Sequence, residues 1–221
     1  MTTFKQTLRA KRERAAAVYE RLRALYPEAT CSLTYRSPLQ LLVATILAAQ
    51  CTDARVNIVT KTLFKRFKTP WDYVEAPREE LENAIRTCGF FRQKAKSIVG
   101  ACRRIIEVHG GEVPRTMEEL VALDGVGRKT ANCVLGQCFG VPSVIVDTHC
   151  IRLGNRLGFT KSMDPVIIER ELMRIWPRET WTQFSHCLVF HGRAVCHARK
   201  PRCGECAIIA LCPFGERNAA R

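Results

Sequence analysis

Apolar residues recur at three- and four-residue spacing along almost the whole of this chain, and that pattern excludes most fold classes. The one β-branched run, VPSVIV at 141–146, is short and stands alone. A period of 3.6 buries one face of a helix, whereas a half-buried strand needs strict alternation. Residues 6–26 place Leu8, Ala15, Val18, Leu22 and Leu25 on one face, and Pro27 closes the run. Pro38 opens a very apolar helix to about Gln50, and Asp53 can cap a third that carries Val56, Val59, Leu63 and Phe67. A fourth lies around 78–87. The clearest helix puts Ala95, Ile98, Val99, Cys102, Ile105 and Ile106 on one side and stops at Gly110-Gly111. Further helices are predicted at 116–122, 127–138, 147–157, 164–176 and 180–194, with Asp164 as a cap and Pro165 at a first helical position. The 221 residues therefore read as an all-α protein packed around two small cores.

Charge bounds the partner. Lys and Arg number 35 against 21 acids, a net +14, and such a surplus points to a polyanion. A basic protein of the membrane surface is the rival reading, but no long basic amphipathic helix with an aromatic face and no lipidation motif is visible. The longest apolar run, Leu41 to Ala49, is too short to span a bilayer. The charged N-terminus lacks the apolar core of a signal peptide, so the chain reads as intracellular. One helix face holds Arg92, Lys94, Lys96, Arg103 and Arg104 with no acid between them. That face is either solvated or turned to phosphate.

Twelve cysteines in a reducing compartment do not form a disulfide framework. Eight are scattered singly among apolar neighbours and read as small core residues. The other four, Cys196, Cys203, Cys206 and Cys212, fall in the spacing C-x6-C-x2-C-x5-C. Four thiolates so close can wrap one metal centre. Structural zinc sites pair two close Cys knuckles, whereas only one close pair is present; the irregular gaps suit a cuboidal iron–sulfur cluster better. Between the first two cysteines, HARKPR offers Arg199, Lys200 and Arg202, which could balance the cluster's charge or clamp a phosphate.

The stretch LDGVGRK poses a separate problem. Gly125 and Gly127 allow a tight turn, Val126 can pin it to the core, and a helix begins at once with Arg128 and Lys129. Cations are disfavoured at the positive end of a helix dipole. A phosphate seated on the hairpin amides would offset them. A lysine in such surroundings is also pushed towards its neutral, nucleophilic form by the neighbouring cation and the helix start. Eighteen residues on, Asp147 in VDTHC reads as a helix N-cap, and its carboxylate could also handle protons or stabilise a developing cation.

The run LDGVGRKTANCVLGQCFGVPSVIVDTH followed by C-x6-C-x2-C-x5-C resembles the endonuclease III family, the DNA glycosylases and abasic-site lyases of the helix-hairpin-helix superfamily. The similarity runs from about Leu22 to Cys212. It implies a six-helix domain with the hairpin at 31–141, a second helical domain from 1–30 plus 142–221 that holds a [4Fe–4S] cluster on the four cysteines, and DNA bound in the cleft between them. It implies double-stranded DNA with damaged bases or abasic sites as substrate, action as a monomer, and a bacterial cytoplasm as the setting. Lys129 then matches the nucleophile that attacks C1′ of a flipped nucleotide, and Asp147 the carboxylate that assists base loss. Gln50 and Phe90 match residues that enter the DNA stack, with Gly125, Val126, Gly127, Arg128, His149, Arg199, Lys200 and Arg202 as further DNA contacts. Oxidised pyrimidines are the expected lesions.

Two positions depart from the family pattern. Phe90 replaces the usual leucine wedge, and Asp124 replaces a proline in the hairpin. An acid there repels phosphate unless its carboxylate turns away or bonds the hairpin backbone. Two other functions are compatible with the residues: a monofunctional mismatch glycosylase of the same superfamily, and a non-catalytic DNA-binding module. Lys129 counts against the first, since such enzymes keep the aspartate and cluster but lack the lysine.

Overall fold

The computed structural model describes residues 6–219, and within them every regular element is helical. The chain divides into two compact units, Met1–Thr30 with Pro142–Arg221, and Cys31–Val141.

The first helix, α1 (Leu8–Leu25), starts at a Thr7 cap whose hydroxyl accepts from the Ala10 amide. Ala15, Val18 and Leu22 are fully buried, but Leu8 and Leu25 at the two ends are 45% and 48% exposed, so the apolar stripe is shorter than the sequence spacing suggested.

The central unit contains α2 (Pro38–Leu47), α3 (Asp53–Arg66), α4 (Pro70–Glu75), α5 (Arg78–Ala84), α6 (Phe91–His109), α7 (Met117–Val121) and α8 (Arg128–Cys138), with a single 3-10 turn at Arg86–Cys88. It thus has seven α-helices among the described residues rather than six. The additional one, α4, is short but sharply specified: Thr69 and Asp72 form a reciprocal capping box and Pro70 fills the first turn. It packs against α6. Apolar on nearly all sides, α2 is surrounded by α3, α6 and α8. It ends at Leu47, not near Gln50, and the chain turns through Gln50 with φ 52. The cap of α3 is Thr52 rather than its neighbour Asp53. Gly110 closes α6 in the left-handed conformation, and the Gly111 amide reaches back to the Ile105 carbonyl at 3.0 Å, as in a Schellman ending.

The other unit joins α1 to α9 (Thr148–Arg156), α10 (Pro165–Ile175), α11 (Trp181–Ala194) and α12 (Pro213–Ala219). Val18, Leu22, Leu153, Leu172, Phe184 and Leu188 meet in its core. Buried Arg14 donates to the carbonyls of Leu157 (2.7 Å) and Leu211 (2.9 Å), tying α1 to the ends of α9 and of the cysteine loop. The β-branched run before Asp147 has no strand partner. It is held by hydroxyls of α11 instead: the Ser143 amide donates to Thr182 Oγ1 (3.2 Å) and the Ile145 amide to Ser185 Oγ (3.0 Å).

Candidate nucleic-acid interface and cysteine cluster

The hairpin between α7 and α8 is built as the glycines require, though they act differently. Gly125 has φ +74, and a Cβ there would lie 2.6 Å from the Ser97 Cβ on α6, so both its conformation and its packing demand glycine. Gly127 has φ −93 and open space around a built Cβ. It needs no left-handed backbone; its small size leaves the mouth of α8 uncovered. Val126 is buried and anchors the turn, and its amide donates to the Leu123 carbonyl at 3.1 Å. As N-cap of α8, Gly127 has no side chain with which to cap the first turn. Arg128 and Lys129 follow there, both exposed. Asp124 lies over Gly100 of α6, where a Cβ would meet its carboxylate oxygen. Asp124 and Gly125 therefore both face α6, while Gly127 is open.

Asp147 is the N-cap of α9. Its carboxylate accepts from the Cys150 amide at 2.7 Å and is half-buried. Buried His186 on α11 lies within its field; burial nevertheless lowers this imidazole to about 4, so it is neutral at pH 7. His149, in the first turn of α9, is half-buried, with Nδ1 2.9 Å from the Arg152 guanidinium. It lies tightly over Gly192 of α11, where a Cβ would fall 2.4 Å from that nitrogen.

All four terminal cysteines line one cavity of their unit, together with Arg156, His191 and Phe214. Each sulfur has a nitrogen neighbour. Arg156 Nη1 is 3.1 Å from Cys196 Sγ, Asn218 Nδ2 3.4 Å from Cys203 Sγ, His191 Nε2 3.4 Å from Cys206 Sγ, and the Gly215 amide 3.3 Å from Cys212 Sγ. Among the described residues no group of three or more Cys, His, Asp or Glu side chains is placed to hold a single metal ion. The HARKPR loop is pinned as well. Arg156 donates to the carbonyls of His197 (2.7 Å) and Ala198 (2.9 Å), and Arg202 bonds the Ala194 carbonyl and pairs with Glu205. Arg199, Lys200 and Arg202 are all exposed, Lys200 with φ 51, and Arg202 is tied to the end of α11 and to Glu205.

Gln50 and Phe90 are both exposed and both left-handed, with φ 52 and 46. Phe90 is 69% exposed while Phe91 is half-buried, which separates the two adjacent rings. The basic face of α6 is less uniform than its letters suggest. Arg92 approaches Glu82 at 4.0 Å, Lys96, Arg103 and Arg104 are exposed, and Lys94 is only 5% exposed. Lys94 therefore belongs to neither a solvated nor a phosphate-facing surface. The register of Lys94 with Ile98, Ala101 and Ile105 carried that signal.

A helical chain with a glycine hairpin that displays a lysine at a helix mouth, and an aspartate that caps a second helix, defines a helix-hairpin-helix protein, and this chain belongs to the HhH-GPD superfamily of base excision DNA repair proteins, whose family model matches residues 43–178. It is similar to endonuclease III of Synechocystis sp., with 53% identity over 219 residues covering 99% of this chain and 100% of the relative, and to endonuclease III of Escherichia coli K12, with 42% identity over 200 residues covering 90% and 95%. Among solved structures, a trapped covalent intermediate of endonuclease III with DNA matches with a TM-score of 0.89 and 44% identity over 94% of this chain and 98% of that one. A thermostable thymine-DNA glycosylase shares the fold at 23% identity and a TM-score of 0.85.

Proposed function

We propose that the protein is a bifunctional DNA glycosylase and abasic-site lyase of base excision repair, with oxidised pyrimidines as its lesions. The observation that carries this reading is Lys129, an exposed amine in the first turn of α8 directly behind an uncapped hairpin. A phosphate on the hairpin amides, held further by Arg128, would fix the DNA backbone beside the amine.

The Lys129 amine attacks C1′ of a nucleotide flipped from the stack, and the C1′–N glycosidic bond breaks with its electron pair leaving on the base. The Asp147 carboxylate stabilises the positive charge that develops at the sugar. Ring opening, with one of the amine's two protons passing to O4′, gives an iminium between Lys129 and C1′. Loss of a C2′ proton then expels the 3′ phosphate and cuts the strand, and water returns the amine. Gln50 and Phe90 fill the vacated space in the duplex. His149, Arg199, Lys200 and Arg202 supply further contacts, Arg202 chiefly by stiffening its loop.

Cys196, Cys203, Cys206 and Cys212 would hold a [4Fe–4S] cluster. The spacing C-x6-C-x2-C-x5-C, with only one close pair, suits a cuboidal cluster better than paired zinc knuckles, and a nitrogen beside each sulfur suits thiolate acceptors. The cluster would supply iron–thiolate bonds that fix the loop carrying Arg199 and Lys200.

The test is single-turnover base release and strand nicking on duplex DNA with one thymine glycol, comparing the protein with Lys129→Gln. Release and nicking that both disappear in the variant support the proposal. Base release without nicking in the unaltered protein would favour a monofunctional glycosylase instead.

A further inference from the structure

Lys94 is a buried cation whose ammonium bonds two carbonyls from different loops. Its Nζ donates to Leu47 O at 2.8 Å and to Cys88 O at 2.7 Å. Leu47 is the last residue of α2, three residues before Gln50. Cys88 ends the 3-10 turn and is separated from Phe90 only by Gly89. The backbone amide of Lys94 also donates to Phe90 O at 3.0 Å. One residue thus holds the approach to both tips on one side chain and grips Phe90 through its own amide.

Three further features single this arrangement out. Gln50 and Phe90 are two of only three non-glycine residues with positive φ among the described residues. Such conformations persist only where the surroundings fix them, and they gather at functional sites. An apolar side chain would serve simple packing on this face of α6 without the cost of burying a charge. Finally, a lysine at the C-terminal end of α2 satisfies a carbonyl that the helix leaves open and complements its dipole.

We infer that Lys94 is a positioning residue, which sets the spacing of the Gln50 and Phe90 tips so that both enter the duplex around one flipped nucleotide. The inference rests on the assignment of those two residues to the DNA stack. Lys94 touches no DNA in this account and acts only through the two loops.

The experiment compares the full-length protein, Lys94→Met, the pair Gln50→Ala/Phe90→Ala, and all three changes together. In the free protein, amide exchange of 48–51 and 88–91 should rise about tenfold or more in Lys94→Met while the 123–130 hairpin is unchanged. Single-turnover base release from a thymine glycol duplex should fall about tenfold or more, with affinity for undamaged duplex held within about twofold. Added to the alanine pair, Lys94→Met should cost less than about twofold, because its effect passes through residues already removed. Lys94→Gln keeps donors for one carbonyl and should fall between the two; it carries the test if Lys94→Met does not fold. Loss of protection throughout the unit, unchanged exchange in the two loops, or a full additional loss on the alanine background would overturn the inference. An alanine pair that releases base as fast as the unaltered protein would remove the wedge assignment and this inference with it. A slow alanine pair beside a fast, folded Lys94→Met would remove the inference alone.

Discussion

Asp147 has two duties that chemistry can separate. As N-cap it needs only a side-chain oxygen for the Cys150 amide, and asparagine provides one as well as aspartate does. Stabilising a cationic sugar needs the negative charge. Asp147→Asn should therefore change stability by no more than about 0.5 kcal/mol while slowing base release about 100-fold. Asp147→Ala should add the loss of the cap, about 1 kcal/mol by chemical denaturation. Equal stability losses in both variants would show that the carboxylate matters to the fold rather than the reaction. The two hairpin glycines separate in the same way. Gly125→Ala forces a Cβ onto Ser97 at a left-handed position and should cost about 1–3 kcal/mol of stability. Gly127→Ala meets open space at an ordinary φ and should leave the thermal midpoint almost unchanged while weakening DNA binding, since the methyl enters the mouth of α8.

At the scale of the element, α8 opens with Arg128 and Lys129 where its dipole disfavours cations. If Arg128 meets a DNA phosphate, Arg128→Ala should lower the slope of log affinity against log salt by about one, uniformly across duplex sequences. Asp124→Asn should leave that slope unchanged, because the carboxylate lies over Gly100 of α6 and not at the open side of the turn. A tighter, more salt-sensitive complex with Asp124→Asn would place that charge against the DNA after all. Most of these elements were legible beforehand, since helical spacing, Pro at first turns and glycine endings are local signals. The exceptions have local reasons too. At α3, Thr52 and Asp53 are adjacent and either could cap, and only the backbone decides that Thr52 does. At six residues, α4 is too short for periodicity to register, although its Thr69–Asp72 box is written in the letters. Lys94 looked like its basic neighbours because the letter Lys suggests solvent; its register with Ile98 and Ile105 argued otherwise. The hairpin, Lys129, Asp147 and the four cysteines stood out because each departs from what packing alone would choose.

For the molecule as a whole, the unit that holds Asp147 also holds an imidazole buried in its neutral form. His186 is lowered by burial from 6.5 to about 4. An unfolded chain takes up this proton near pH 6.5 while the folded chain resists it until about pH 4, so stability is present above 6.5 and is lost as pH falls through that window. The denaturant midpoint should drop between pH 6.5 and 4, and more gently in His186→Gln; identical profiles would assign the acid sensitivity to other groups. The net charge of +14 brings the chain to DNA, but it does so for any duplex and says nothing of chemistry. The proposed reaction is covalent, through a bond between Lys129 and the sugar. It is tested most directly by borohydride reduction during reaction with a thymine glycol duplex, with the intact chain and Lys129→Gln compared by mass spectrometry of the adduct. A protein–DNA species is expected from the intact chain, with the DNA mapped to Lys129, and none from the variant. An adduct of equal yield in Lys129→Gln, or base release from the intact chain with no adduct at all, would contradict it.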